Sequence, residues 1–197
     1  VSSMIEYVHS CELLKACIED ILSTIKPGED DQKKRLCAIQ ELEDIYSSGT
    51  LRGAVVKPFG SFVSNLYAKS GVAKYMDFIP TARVPIIHYM SNRFGISCDI
   101  SINNYPGRIK ARIFYWINTI DERFGDMVLL VKEWAKTQNI NDPKHGTLNS
   151  YSLCLLIIFY FQVLFLTQYR CKPAILPPLK EIYDGNVAKG KTDLACS

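Results

Sequence analysis

The sequence predicts an α+β fold, and three observations predict it. Apolar residues recur at helical spacing near the start of the chain and again after residue 105, while the stretch between is made of short β-branched runs with alternating polarity. No internal repeat organises the 197 residues, and 48% hydrophobic with 22% charged residues is the balance of a chain that buries a core. At this length the chain makes one domain, or two small interdigitated ones.

The first helix is predicted over residues 4–25, where Ile5, Val8, Cys11, Leu13, Leu14, Cys17, Ile18, Ile21 and Leu22 mark one stripe that stops at Lys26-Pro27-Gly28. A second follows the acidic turn Glu29-Asp30-Asp31, with Leu36, Ile39, Leu42 and Ile45 on its apolar face, and ends by Ser47-Ser48-Gly49. Residues 53–58 (Gly-Ala-Val-Val-Lys-Pro) then read as a strand leading into Phe59-Gly60-Ser61, with a short helix expected over 62–68. Between residues 83 and 103 two strands face each other across Ser91-Asn92-Arg93. In the second, Phe94, Ile96, Cys98, Ile100 and Ile102 point inward while Ser97, Asp99 and Ser101 point outward. After Pro106, three helices are expected over 108–120, 124–138 and 147–165, and the prolines at 173, 177 and 178 then interrupt the chain. The residues from Gly185 read as a polar tail.

Several function classes drop out. The net charge of +3 and pI of 8.4 are too mild to indicate nucleic-acid binding without a local basic patch. The seven cysteines contain no CxxC pair and the histidines at 9, 88 and 145 lie far apart, so neither a zinc site nor a disulfide frame is read, and a reducing compartment is expected. The start, Val-Ser-Ser-Met-Ile-Glu, has no signal-peptide character and reads as trimmed. The apolar stretch 153–166 is shorter than the roughly 20 residues that span a bilayer and reads as a core helix, so no membrane contact is expected. Residues 185–192, Gly-Asn-Val-Ala-Lys-Gly-Lys-Thr, satisfy the phosphate-loop pattern but follow a Pro-rich loop rather than a buried strand. Hydrolase chemistry is not read either, for want of a GxSxG and of a histidine with a plausible partner segment.

Five constellations can carry chemistry, each beside a plainer role. Gly60-Ser61 follows a strand and precedes a short helix, where free amides favour a phosphate, although Ser is also an ordinary cap. Asp99 is a carboxylate in mid-strand, where propensity disfavours it; the alternative is a solvent-facing side chain. Lys132 and Lys136, one turn apart, repel each other unless an anion sits between them, or they simply line a solvated face. Ser150-Tyr151 opens the last long helix with a hydroxyl and an aromatic face suited to a ribose and a base. Arg108, Lys110 and Arg112 with Tyr115 form a modest basic and aromatic strip that could follow an RNA backbone.

In this order and spacing, Pro58-Phe59-Gly60-Ser61-Phe62, Ile96-Ser97-Cys98-Asp99-Ile100-Ser101, residues 128–136 (Val-Leu-Leu-Val-Lys-Glu-Trp-Ala-Lys) and Gly146-Thr147-Leu148-Asn149-Ser150-Tyr151-Ser152 resemble the terminal nucleotidyltransferases. These are the template-independent poly(A) polymerases and uridylyltransferases of the polymerase-beta-like superfamily, and the resemblance is to the plant branch that uridylates small RNAs. It covers residues 25–183. It implies a nucleotidyltransferase palm packed on a helical central domain, arranged here as an N-terminal helix (1–28), a palm shortened after Gly71 (29–104), an incomplete helical domain (105–184) and a tail (185–197). By resemblance Gly60 and Ser61 hold the terminal phosphates of an NTP (UTP or ATP), Lys132 and Lys136 neutralise the triphosphate, and Ser150 and Tyr151 contact sugar and base. Asp99 matches the third catalytic and metal-binding carboxylate, Mg²⁺ or Mn²⁺ is the implied cofactor, and the partner is an RNA 3′ end, reached through Arg108 and Arg112. The implied location is cytoplasmic, nuclear or both.

The departures from the family pattern matter equally. No Asp-x-Asp pair follows the Gly-Ser turn: Tyr67-Ala68-Lys69-Ser70-Gly71 runs directly into Val72-Ala73-Lys74-Tyr75. Asp77 and the adjacent Asp30-Asp31 are not substitutes, and Lys110 stands where some relatives have an Asn near the ribose. A single carboxylate is too few ligands to fix two Mg²⁺ ions. The expectation is therefore an RNA terminal nucleotidyltransferase, a uridylyltransferase ahead of a poly(A) polymerase, inactive in this form. The alternative is a catalytically dead RNA- or protein-binding remnant.

Overall fold

The computed structural model describes residues 2–48, 54–69, 77–79, 85–167 and 175–176. It divides into two compact units, Val1–Thr119 and Ile120–Ser197. The first holds helices α1 (Ser2–Ile25) and α2 (Glu29–Ser48), strands β1 (Asp77–Ile79), β2 (Ile86–Ser91) and β3 (Ile96–Ile100), and helix α3 (Tyr105–Ile120) up to its last residue. The second holds α4 (Arg123–Thr137), a 3₁₀ turn (Pro143–His145) and α5 (Ser150–Thr167).

In the first unit α1 ends where Pro27 and Gly28 cannot continue it, and α2 restarts at once. Glu29, Asp30 and Asp31 fill its first turn, where the helix dipole favours negative charge, and Asp31 Oδ2 accepts from the Gly28 amide at 3.2 Å. The buried face of α2 is Ala38 and Leu42; Leu36 and Ile45, expected beside Leu42, are half exposed, so the buried stripe is narrower than the apolar one. Leu22 is likewise buried on α1 while Leu13 and Leu14 are exposed. Arg35 packs its guanidinium 4.4 Å over the Tyr67 ring, and the Lys69 amide bonds the Ile25 carbonyl at 3.1 Å, tying residues 66–69 to the helical pair.

The sheet is antiparallel in the order β1-β2-β3. Its β2–β3 turn is residues 92–95, one to two residues later than 91–93, because Gly95 (φ +64°) supplies the left-handed position and its amide closes on Ser91 O at 2.8 Å. Ser91 is fully buried: its hydroxyl donates to Glu41 Oε2 of α2 at 2.5 Å and accepts from the Phe94 amide, which pins the turn to the helix. Along β3 the alternation holds, with Ile96 buried and Asp99 exposed, but it stops at the strand end, where Ile102 is 82% exposed. Phe94 belongs to the turn rather than the strand.

Two expected elements are corrected. Residues 54–58 form no strand among the described residues, although their composition suits one; a strand exists only against a partner, and none is paired with them. Residues 62–68 form no helix. Mixed bonds, Ser64 N to Gly60 O, Asn65 N to Phe62 O and Leu66 N to Ser61 O, with Asn65 at φ +56°, give an irregular turn. The Gly71-Val72 junction and the tail from Gly185 lie outside the described residues.

In the second unit α4 and α5 run antiparallel. Phe124 meets Phe161 edge-on at 6.4 Å, and Val128, Leu129, Leu153, Ile157 and Ile158 are buried. Asn149 caps α5, its Oδ1 accepting from Ser152 N at 2.8 Å. No helix among the described residues is long and apolar enough to cross a membrane.

Candidate functional site

In the first unit the chemistry centres on the β2–β3 hairpin. The register pairs Asp77 with His88 and His88 with Asp99, one row across three strands. The Asp99 carboxylate stands on the solvent face, and its Oδ1 lies 2.7 Å from His88 Nδ1. The exclusion of a histidine with a partner segment is thus corrected. A turn centred on Asn92 would place His88 opposite Ile96, whereas the true turn at 92–95 places it opposite Asp99. His88 is the functional neighbour that sequence reasoning missed, and the signal for it was Gly95.

Gly60 adopts φ +77°, and no atom lies within 4 Å of where a side chain would begin, so the backbone is open on that side. Ser61 is exposed beside it. The turn that follows is too short and irregular to act as a helix N-terminus, so any phosphate contact here uses the local amides and the Ser61 hydroxyl alone. On α3, Arg108 and Arg112 are one turn apart and share a stripe with the half-exposed Tyr115. Lys110 is rotated about 200° from Arg108 on a 3.6-residue helix and leaves that strip.

The second unit gathers its four candidates at one end. Phe124 packs on Phe161 and Lys132 feels Cys154, so one turn onward Lys136 comes level with Ser150, one turn before Cys154. Burial pushes the Lys132 ammonium below the usual lysine range, and Lys136 nearby adds to that; Cys154 acts in the opposite sense. Burial pushes the Cys154 thiol up to about 11, so at neutral pH it is a thiol beside an ammonium. Lys136 Nζ lies 2.6 Å from Glu133 Oε1, which relieves the i,i+4 repulsion without an outside anion. Ser150 Oγ accepts from Asn141 Nδ2 at 3.3 Å, and Tyr151 is exposed at the helix start. The loop that returns the chain is held by Asp142, which bonds His145 and whose amide donates to Thr147 Oγ1 at 2.7 Å.

Asp99 cannot by itself build the implied metal centre. Among the described residues no group of three His, Cys, Asp or Glu side chains is placed to hold a metal ion, and one oxygen of Asp99 already faces His88. The described residues do not fit a two-metal arrangement.

No protein-family model matches the chain. Protein HESO1 of Arabidopsis thaliana is 43% identical over 208 residues, covering 86% of this chain and 39% of that protein. Poly(A) RNA polymerase gld-2 homolog A of Drosophila melanogaster is 36% identical over 110 residues, covering 55% of this chain and 8% of its own. Among solved structures, the Cid1 poly(U) polymerase with MgGTP bound superposes with a TM-score of 0.71 at 26% identity, over 83% of this chain and 58% of that one. The chain therefore spans about two fifths of the HESO1 length. By sequence and by fold it belongs to the terminal nucleotidyltransferase family.

Proposed function

We propose that the chain is part of an RNA terminal nucleotidyltransferase that adds nucleoside monophosphate from an NTP to RNA 3′ ends, with UTP ahead of ATP, and that this form does not catalyse the transfer. The observation that carries the reading is Asp99, held outward on the three-stranded sheet by the hairpin that leads into α3, in a chain that superposes on Cid1 with a TM-score of 0.71. Phosphoryl transfer is largely a matter of position and charge. Lys132 and Lys136 offset the triphosphate, the Gly60-Ser61 turn presents amides and a hydroxyl to its end, Ser150 and Tyr151 take the sugar and base, and Asp99 orients the RNA 3′-hydroxyl.

What supports a missing segment is the match to HESO1: its 208 residues exceed the 197 of this chain although part of the chain lies outside it. The relative thus carries residues that have no counterpart here, and the direct run from Gly71 to Val72, with no Asp-x-Asp anywhere in the sequence, is where we put the gap.

The test is restoration. Inserting the HESO1 residues that lack a counterpart between Gly71 and Val72 is expected to give a protein that extends a labelled RNA in the presence of UTP, and Asp99→Ala in that background is expected to abolish extension. Tailing that survives Asp99→Ala contradicts the assignment. The second reading, an RNA-binding remnant without chemistry, is favoured by His88 on Asp99 and by the lack of a metal-holding group among the described residues. It predicts single-stranded RNA affinity that falls steeply with salt in the chain as it stands, with no NTP binding.

A further inference from the structure

We infer that a cavity of about 320 Å³ in the first unit, between residues 55–59 and the start of α3, holds one backbone phosphate of single-stranded RNA, with Lys57 and Arg108 as its cations and the Ser101 hydroxyl as its neutral donor. The inference rests on the proposed function only in taking RNA as the partner, and it requires no catalysis.

The described residues of the cavity wall include Lys57, Phe59, Ser101, Asn104, Tyr105 and Arg108, and among them there is no aspartate or glutamate. In a chain with 23 basic and 20 acidic residues that is a local imbalance. Neither Lys57 nor Arg108 is in any of the ion pairs found among the described residues, whereas Lys15, Lys33, Arg123 and Lys136 each have a carboxylate. The Ser101 Oγ is buried and, among the described residues, has no hydrogen-bond partner, a costly condition unless something supplies an acceptor. A phosphate oxygen is such an acceptor, and the two cations draw it to that place.

The start of α3 does not account for the site. Tyr105 N donates to Asn103 O, Gly107 N to Asn104 Oδ1 and Arg108 N to Asn104 O, and Pro106 has no amide hydrogen, so the first turn has spent its donors. An anion here is held by side chains. Two cations match the single charge of a phosphodiester better than the four of a triphosphate, and the half-exposed Tyr105 with Phe59 beside it offers ring faces to the adjoining base. Ser101 stands two residues after Asp99, so the phosphate lies close to the carboxylate proposed to meet the RNA end.

The test uses the 197-residue chain with a fluorescein-labelled oligouridylate, following anisotropy against salt concentration. Lys57→Gln and Arg108→Gln are each expected to weaken binding about fivefold and to lower the salt slope by about 0.7, the release expected for one single-strand phosphate. Ser101→Ala gives a smaller loss, and Arg108→Lys, which keeps the charge, retains most of the affinity and guards against misfolding. Lys33→Gln with Lys34→Gln, on the exposed face of α2, is the control for charge alone. Losses at Lys57 and Arg108 no larger than in that control overturn the inference, as does a parent chain that binds no oligouridylate. UTP that displaces the oligonucleotide and loses affinity equally in the two variants also overturns it, by assigning the cavity to the nucleotide. A restored chain that fails to tail RNA while these losses persist removes the proposed catalysis and leaves the phosphate site standing.

Discussion

Asp99 and His88 are close enough to bond yet both reach solvent, with Asp99 more than half exposed, so their pairing carries little stability. Asp99→Asn and His88→Gln are each expected to change the unfolding free energy in urea by less than about 1 kcal/mol. That expectation allows a loss of tailing in an Asp99 variant of the restored protein to be read as chemistry; a loss of several kcal/mol would make Asp99 structural. Lys132 is the opposite case. Its charged form is disfavoured by burial, so the folded state binds that proton less tightly than the unfolded chain. The penalty is present at neutral pH and disappears as pH rises through the ordinary lysine range. Lys132→Met is therefore expected to remove the gain in stability that accompanies the rise in pH, while lowering UTP affinity, and a variant that keeps the full gain would contradict the account. Because the ammonium form receives the triphosphate, UTP affinity falls as pH rises through the lowered lysine range. Lys132→Arg, charged throughout, removes that dependence.

Among the elements, α4 begins with a local device independent of the site. Asp121 Oδ1 accepts from the Arg123 amide at 2.9 Å, and its carboxylate also takes the Arg123 guanidinium. Side-chain bonding to Arg123 holds the Asp121 carboxyl below the usual range. Its contribution is thus full above the unfolded value of about 4 and is lost as pH falls through the lower folded value. Asp121→Ala is expected to cost about 1 kcal/mol by thermal melting at neutral pH, and Asp121→Asn less, since an amide oxygen still accepts from the backbone. Equal losses in the two would mean that charge, not capping, matters. The helices were legible because their signals are local: Pro27-Gly28 after α1, acids opening α2 and Pro106 at α3; the α5 start, expected at 147, falls at Ser150 because Asn149 caps it. The strands were legible only in part. Residues 54–58 have the composition of a strand and no partner among the described residues, and composition reports nothing about partners. Moving the β2–β3 turn by one or two residues re-pairs every residue in the hairpin, so the alternation that put Asp99 outward was right while its neighbour His88 was missed.

For the whole molecule, the candidate residues divide between the units: Gly60, Ser61, Asp99, Arg108 and Arg112 in the first, Lys132, Lys136, Ser150 and Tyr151 in the second. Gly60, Ser61, Asp99 and the four of the second unit were picked out by the ordered motifs and Arg108 and Arg112 by a basic strip, while no role was read for Lys57 or Ser101, because a cavity with no acid among its described lining residues and an unpartnered hydroxyl exist only once the chain is folded. The α5 helix is apolar on nearly every side and leaves Leu155, Leu156, Phe159 and Tyr160 exposed, more surface than an isolated soluble helix usually shows. The central claim is that nucleotidyl transfer is latent in this fold and lacks only the Asp-x-Asp pair, the two carboxylates that would join Asp99. It is tested most directly by extension of a labelled RNA 3′ end with UTP and Mg²⁺, run side by side on the 197-residue chain and on the chain restored after Gly71. The account predicts a ladder of added uridines from the restored chain and none from the parent; a parent ladder at a comparable rate, or none from a well-folded restored chain, would contradict it.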